Sequence, residues 1–303
     1  KAMALGSLYA MLALGFVLIF KATQTVNFAQ GAIALTGTWF LSIIFIDWDV
    51  PGRWLPGPNY MHWVIALLLA MAATAVFGLI IERLAIRPMI GEPIFSMAVI
   101  TLGLEVAIRV VASDAVSLTP RILGVPWGIQ TFKIGEAVVS WSYISAIVAT
   151  TIVFLITWRF LKTRTGVAMR ATAFDQEAAL AQGINLGRIF AIAWAAGAAL
   201  AAMAGIFSSM SPWAAAGTAS REGAFFAFRA LPAVIVGGLD SVIGALVGGL
   251  LIGFMEIFAG QYLSGCVGVL GVGYQQVVPY VVMLIALLIK PYGLFGTEEV
   301  RRV

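Results

Sequence analysis

Apolar residues run in stretches of about 20, the length that crosses roughly 30 Å of hydrocarbon, and polar residues fall between those stretches instead of alternating within them. This pattern predicts helices at roughly 2–20, 28–46, 62–81, 94–112, 139–159 and 188–208, a short apolar piece at 225–238, then 240–259 and 276–290. The implied fold is an all-α, polytopic helical bundle of about eight full spans plus a short or broken span, with one transmembrane domain over 1–303. One segment departs from the pattern. Residues 163–188, TRTGVAMRATAFDQEAALAQGINLGR, form helix readily but are polar, and a soluble-looking helix projecting from a membrane protein needs a partner to dock on.

Within that segment the cap signals predict a helix from Thr172 as N-cap, with Asp175 three residues on, to a stop before Gly183 as the residue just past the end. Such a helix is about 16 Å long. Phe174, Ala178 and Ala181 fall on one face, with Asp175, Gln176, Glu177 and Gln182 around it. That apolar face is too small to anchor in lipid; a plain interfacial loop helix and a docking helix both remain compatible with it.

Composition agrees with a bilayer protein: 61% of residues are hydrophobic and 11% charged, against about 25% charged in soluble domains. The net charge is +4, and its distribution sets an orientation, because Lys and Arg concentrate in short loops on the inner side. With the C-terminus inside, Lys21, Arg83, Arg87, Arg159, Lys162, Arg164, Arg170, Arg188, Lys290, Arg301 and Arg302 fall inside and seven basic residues elsewhere, so the N-terminus is expected outside. A chain opening on Lys1 is expected to lack a short N-terminal piece, and its first apolar stretch reads as a retained span, not a signal peptide. The single Cys266 offers no intrachain disulfide. In the loop 47–63, Trp48, Trp54 and Trp63 read as membrane-belt residues, and the one histidine, His62, lacks a second ligand for a metal. Residues 113–140 read as an external segment punctuated by Pro and Gly.

Four ionisable groups lie in or beside spans: Glu105, Arg109, Asp240 and Glu256. Glu105 and Arg109 are four apart and neutralise each other on one helix face, whereas Glu256 is free to reach the interface or a water-filled cavity at the outer end of its span. In VNFAQGA (26–32), Asn27 and Gln30 have the spacing of a capping box; they either cap the second helix or line the inner mouth of a pathway. Gly244 with Gly248, and Gly249 with Gly253, are GxxxG pairs that permit close helix approach. Alternatively the GGLDS stretch breaks a helix pair beside a pathway, which Gly31, Ala34, Thr38, Gly244 and Gly248 would line with Asn27 and Gln30 as its few polar groups. No Walker A, HExxH or Cys/His metal spacing occurs, so neither nucleotide hydrolysis nor a catalytic metal is expected in this chain. The basic residues flank spans and form no nucleic-acid patch.

In these residues the chain resembles the permease subunits of ABC importers, in particular the branched-chain amino acid permease family of LivH type. The matching pieces are LGSLYAMLALGFVLIFKATQTVNFAQGAIALTGTW near the start, IIERLAIRPM at 80–89, GVAMRATAFDQEAALAQGINLGR at 166–188, FRALPAVIVGGLDSVIGALVGGLLIGFMEIFAGQYLS at 228–264 and PYGLFG at 291–296. Where the family commonly has His in NFAHG, this chain has Gln30. The resemblance implies a coupling segment at about 160–188 that docks on an ATPase through Arg170, Thr172, Phe174, Asp175, Glu177, Ala178 and Gly183. It also implies a second homologous permease, identical or different, two ATP-binding cassette ATPases carrying ATP and Mg, an extracytoplasmic solute-binding protein, and a bacterial or archaeal cytoplasmic membrane. Leucine, isoleucine and valine are the expected solutes, with urea, short amides and small carboxylates behind. A stand-alone secondary carrier or channel is disfavoured by the lack of a buried acidic relay, and a non-transporting scaffold by the broken glycine region.

Overall fold

The computed structural model describes residues 1–117, 123, 125–127, 130–134, 137–210, 212–213, 223–263 and 273–297. Cys266, residues 268–272, Arg301 and Arg302 lie outside them. Eleven helices carry the described fold: α1 (Ala2–Thr23), α2 (Gln30–Ser42, continued by a π-turn Ile43–Asp47), α3 (Asn59–Ile81, continued to Met89 by π and 3-10 turns), α4 (Ile94–Ser117), α5 (Trp141–Phe160), α6 (Arg164–Phe174), α7 (Gln176–Ala181), α8 (Leu186–Ser208), α9 (Gly223–Gly237), α10 (Val242–Tyr262) and α11 (Tyr274–Ile289). Among the described residues, seven helical stretches are long and apolar enough to cross a membrane and two apolar helices are shorter, Phe226–Gly237 and Tyr274–Ile289. The expected eighth full span is therefore a short one. Helix α11 has 16 residues with Pro279 inside it, about 24 Å at the usual rise.

Helix α1 is buried along almost its whole length, as expected of a helix that is apolar all round. Helices α10, α8, α5 and α9 pack around it. The glycines of α10 divide this packing between two neighbours. Gly249 and Gly253 meet the backbone of Ala10 and Gly6 in α1, and Gly244 and Gly248 meet Gly237 and Ala233 in α9; a Cβ at any of the four would collide with main-chain atoms. Two GxxxG pairs, one residue out of phase, thus give α10 two seams.

All-α is corrected at one place. Residues Thr131–Ile134 and Ala137–Ser140 form a two-stranded antiparallel hairpin, β1 and β2, with Thr131 opposite Ser140, where β-branched and aromatic residues favour a pleated ribbon. Trp63 is also corrected: α3 starts at Asn59, earlier than the pattern predicts, which turns Trp63 inward to 1% exposure between Trp127 and Phe207, at ring-centroid distances of 5.7 and 6.0 Å. Trp48 and Trp54 are exposed.

Hydrogen bonds define one basic end of the bundle. Arg87, past the end of α3, donates to Gly187 O at the start of α8 at 3.2 Å, and Leu294, past α11, donates its amide to Val236 O at the end of α9 at 2.8 Å. Lys21 at the end of α1 interacts electrostatically with Asp240 and with Arg170 of α6.

Candidate functional site

The polar segment at the basic end is two helices, not one. Thr163 caps α6, its Oγ1 accepting from Gly166 N at 3.4 Å. Asp175, at φ −157°, interrupts the helix and caps α7 by accepting from Ala178 N at 2.9 Å. Thr172 is therefore no N-cap: it is buried within α6 and donates its hydroxyl to Ala168 O at 2.9 Å. The helix begins earlier than the cap signals suggest because Thr163 supplies a cap at Gly166 N and the turn that follows packs on α1 and α8. The stop at Gly183 has the geometry its sequence predicts. Gly183 lies at φ +79°, its amide donates to Leu180 O at 2.9 Å, and Ile184 N donates to Ala179 O at 3.0 Å, the paired bonds of a Schellman ending.

Helix α6 buries Gly166, Met169 and Thr172 where it packs on α1 and α8. Its other side shows Val167, Arg170 and Phe174 to solvent, Phe174 at 94% exposure. In α7, Ala179 is buried while Glu177, Ala178, Leu180 and Ala181 are exposed. Asp175 and Gly183 are exposed as well. The break at Asp175 separates Phe174 from Ala178 and Ala181, so the single apolar face becomes an apolar tip followed by a short alanine surface.

A Glu–Arg pair in the IIERLAIRPM stretch braces this segment. Glu82, 1% exposed, takes Arg87 bidentately, Nε to Oε1 at 3.0 Å and NH2 to Oε2 at 3.1 Å, and the same NH2 holds Gly187 O. The IIERLAIRPM stretch thereby fixes the point where the chain re-enters the bundle after α7. Acid and base five apart at a helix end were the available signal.

The pathway candidates fall into two groups on different helices. Asn27 and Gln30 are joined, Nδ2 donating to Oε1 at 2.9 Å. They make no reciprocal capping box: Asn27 Oδ1 accepts from Ala29 N at 3.1 Å, but Gln30 Nε2 reaches across to Gly197 O in α8 at 3.1 Å, in space that Gly15 of α1 leaves open. Gly31, Ala34 and Thr38 are buried along α2; Ala34 faces Gly205 of α8, and Thr38 Oγ1 donates to Ala34 O at 3.1 Å. Gly244 and Gly248 lie on the seam of α10 with α9. A cavity of about 10 Å³ beside Asn27, lined also by Thr23, Thr25, Thr101 and Trp194, has room for about one water. A groove of about 330 Å³ between α9, α10 and α11 is lined by apolar side chains and Lys290.

Inside the bundle, Arg109 Nε meets Glu105 Oε1 at 2.9 Å, four residues apart, as the spacing predicts. Glu256 is corrected: it does not reach the interface. It is 8% exposed and its Oε2 accepts from the Tyr9 hydroxyl of α1 at 2.5 Å. Arg229 of α9 lies within electrostatic range of Glu256 and hydrogen-bonding reach of Tyr9, and Phe226 stacks on the Tyr9 ring at 5.0 Å. The missed partner had a signal, since Arg229 is a lone base in one span and Glu256 a lone acid in the next. Among the described residues, no group of three His, Cys, Asp or Glu could hold a metal ion.

Residues 1–287 match the model of a family described as branched-chain amino acid transport system / permease component. Similar curated proteins include the high-affinity branched-chain amino acid transport system permease protein BraD of Pseudomonas aeruginosa, 29% identical over 98% of this chain and 94% of the relative. The high-affinity branched-chain amino acid transport system permease protein LivH of Escherichia coli K12 is 26% identical over 99% of this chain and 94% of its own length. The probable branched-chain amino acid transport permease protein LivH of Methanocaldococcus jannaschii is 26% identical over 96% and 90%. No solved structure matches.

Proposed function

Because the chain belongs to the family of branched-chain amino acid transport system permease components, we propose that it is a membrane-spanning subunit of an ABC importer for leucine, isoleucine and valine. It works with a second homologous permease, two ATP-binding cassette ATPases that carry ATP and Mg, and an external solute-binding protein. The basic end faces the cytoplasm and the N-terminus lies outside. Its body is one permease domain over 1–303 with the coupling segment at about 160–188.

The observation that carries this reading is Phe174 at 94% exposure on the tip of α6, between a helix docked on α1 and a helix closed at both ends by Asp175 and Gly183. A phenyl ring presented there, beside the exposed alanines of α7, offers a partner a compact apolar contact. Closure of the ATPases pushes α6 and α7; Met169 passes the push to α1, and the Glu82–Arg87 brace passes it to α8. The spans then rock, and a path between the two permeases alternates its opening. Gly31, Ala34, Thr38, Gly244 and Gly248, with Asn27 and Gln30, carry no charge, and Ala34 packs on α8 and Gly244 and Gly248 on α9, so selectivity is left to the binding protein.

Reconstituted complex with its binding protein is expected to take up radiolabelled leucine saturably and only with ATP. Urea uptake without leucine uptake sinks the amino-acid assignment, and uptake with no ATPase present sinks the importer reading.

A further inference from the structure

Helix α9 ends at Gly237 and α10 begins at Val242, so the last carbonyls of α9 have no partner in their own helix. A distant segment supplies the partners. Leu294 N donates to Val236 O at 2.8 Å and Phe295 N to Gly237 O at 3.0 Å. Gly238, at φ +107°, leaves the room that the Gly296 backbone occupies, and Gly293, at φ +79°, leaves room for Ile235 O and Gly238. Asp240 closes the contact, accepting from Thr297 N at 3.3 Å and from the Thr297 hydroxyl. The PYGLFG stretch, with Thr297, thus does for α9 what a further helical turn would do.

We propose that residues 291–297 are a splint that joins α9, α10 and α11 into one rigid unit, with Asp240, held by Thr297, as the residue that positions its end. A helix break with free carbonyls bends under load; a break whose carbonyls and whose one carboxylate are tied to the next helix's tail does not. This rests on the importer reading above, because the load that the unit bears is the rocking of the spans that the ATPases drive.

The test is the full complex in proteoliposomes carrying Cys266→Ser, with Asp240→Cys and Thr297→Cys added, read as leucine imported per ATP hydrolysed. A disulfide between the two would take over the tie that the Asp240 carboxylate and the Thr297 hydroxyl make, and loss of free thiol checks that it has formed. With the thiols reduced, the ratio is expected to fall several-fold while ATP hydrolysis continues; oxidation by diamide to the disulfide is expected to restore it. A ratio unchanged in the reduced form shows the splint to be dispensable, and a ratio that drops further on oxidation shows that the segment must leave; either overturns the proposal. Asp240→Asn, which keeps an acceptor for Thr297 N, is expected to keep most of the ratio; a fall as large as that of the reduced double-cysteine protein would show that the charge and not the tie matters, and would overturn the proposal. Failure of the Cys266→Ser parent to import leucine counts against the importer reading alone; the splint is then judged by slow hydrogen exchange at the Leu294 and Phe295 amides, and fast exchange there refutes it.

Discussion

Asp175 and Gly238 both interrupt a helix at the basic end of the molecule, but the two interruptions are closed by groups at very different distances along the chain. At Asp175 the carboxylate caps the helix that follows, three residues on, and Gly183 finishes that helix with bonds to Ala179 and Leu180. At Gly238 the carbonyls are satisfied from Leu294 and Phe295, more than fifty residues away. The first arrangement leaves an exposed, self-contained lever; the second leaves a joint, buried at Gly237, Gly238 and Gly293, that exists only when the C-terminal segment is in place.

Breaking the support around the lever has the largest expected effect. In Arg87→Met, Glu82 remains at 1% exposure with its bidentate partner gone, and an uncompensated buried charge costs about 3–5 kcal/mol. Thermal unfolding in detergent should show a drop of several degrees or failure to assemble; Glu82→Gln combined with Arg87→Met should recover most of the loss, because no charge is stranded. An unchanged melting temperature in the single variant would mean that the brace is not formed.

At the joint, Gly238→Val places a branched side chain at φ +107° against the Gly296 backbone. Backbone strain of that kind costs about 1–3 kcal/mol, and displacement of the segment adds to it. The signature that separates this from general destabilisation is local: the Leu294 and Phe295 amides should exchange far faster while α1 amides stay protected. Equal loosening everywhere would erase the distinction between joint and lever.

The same contrast explains what could be read from the sequence. Spans were legible because a bilayer imposes one long apolar run per helix, and the stop at Gly183 was legible because its cap is local. The Glu105–Arg109 pair was legible for the same reason. Asp175 caps a different helix from the one its spacing suggests, since Thr172 and Asp175 are both acceptable caps and only the fold, in which Thr172 is buried and turns its hydroxyl back to Ala168 O, decides between them. Gln30 was assigned half of a local box, whereas its amide leaves the helix for Gly197. The Tyr9–Glu256 contact and the closure of α9 by PYGLFG are made between residues far apart in the chain, and no spacing within either partner encodes them.

The lever itself should tolerate substitution better than the joint and show its damage in function. Gly183→Val strains a position at φ +79° with open space around it, a cost of roughly 1 kcal/mol; the protein should still insert, with substrate-stimulated ATP hydrolysis reduced because α7 no longer ends where it did. Phe174→Ser removes a ring that touches almost nothing in the isolated chain, so its melting temperature should stay unchanged while recovery of the ATPases on a tagged permease falls severalfold. Retained ATPase recovery would show that the exposed ring is not the docking tip.

The smallest effect tests whether the lever is closed only from within. Asp175→Ala removes the acceptor for Ala178 N and should cost about 1 kcal/mol of local helix stability, while Asp175→Ser keeps a capping oxygen and should stay within a few tenths. Hydrogen exchange at Ala178 and Ala179 resolves the two: acceleration of about fivefold is expected for Ala and little for Ser, with Leu294 and Phe295 unaffected in both. Acceleration at the Leu294 amide in Asp175→Ala would show that the two interruptions share one closure, and the lever and the joint would then have to be treated as a single element.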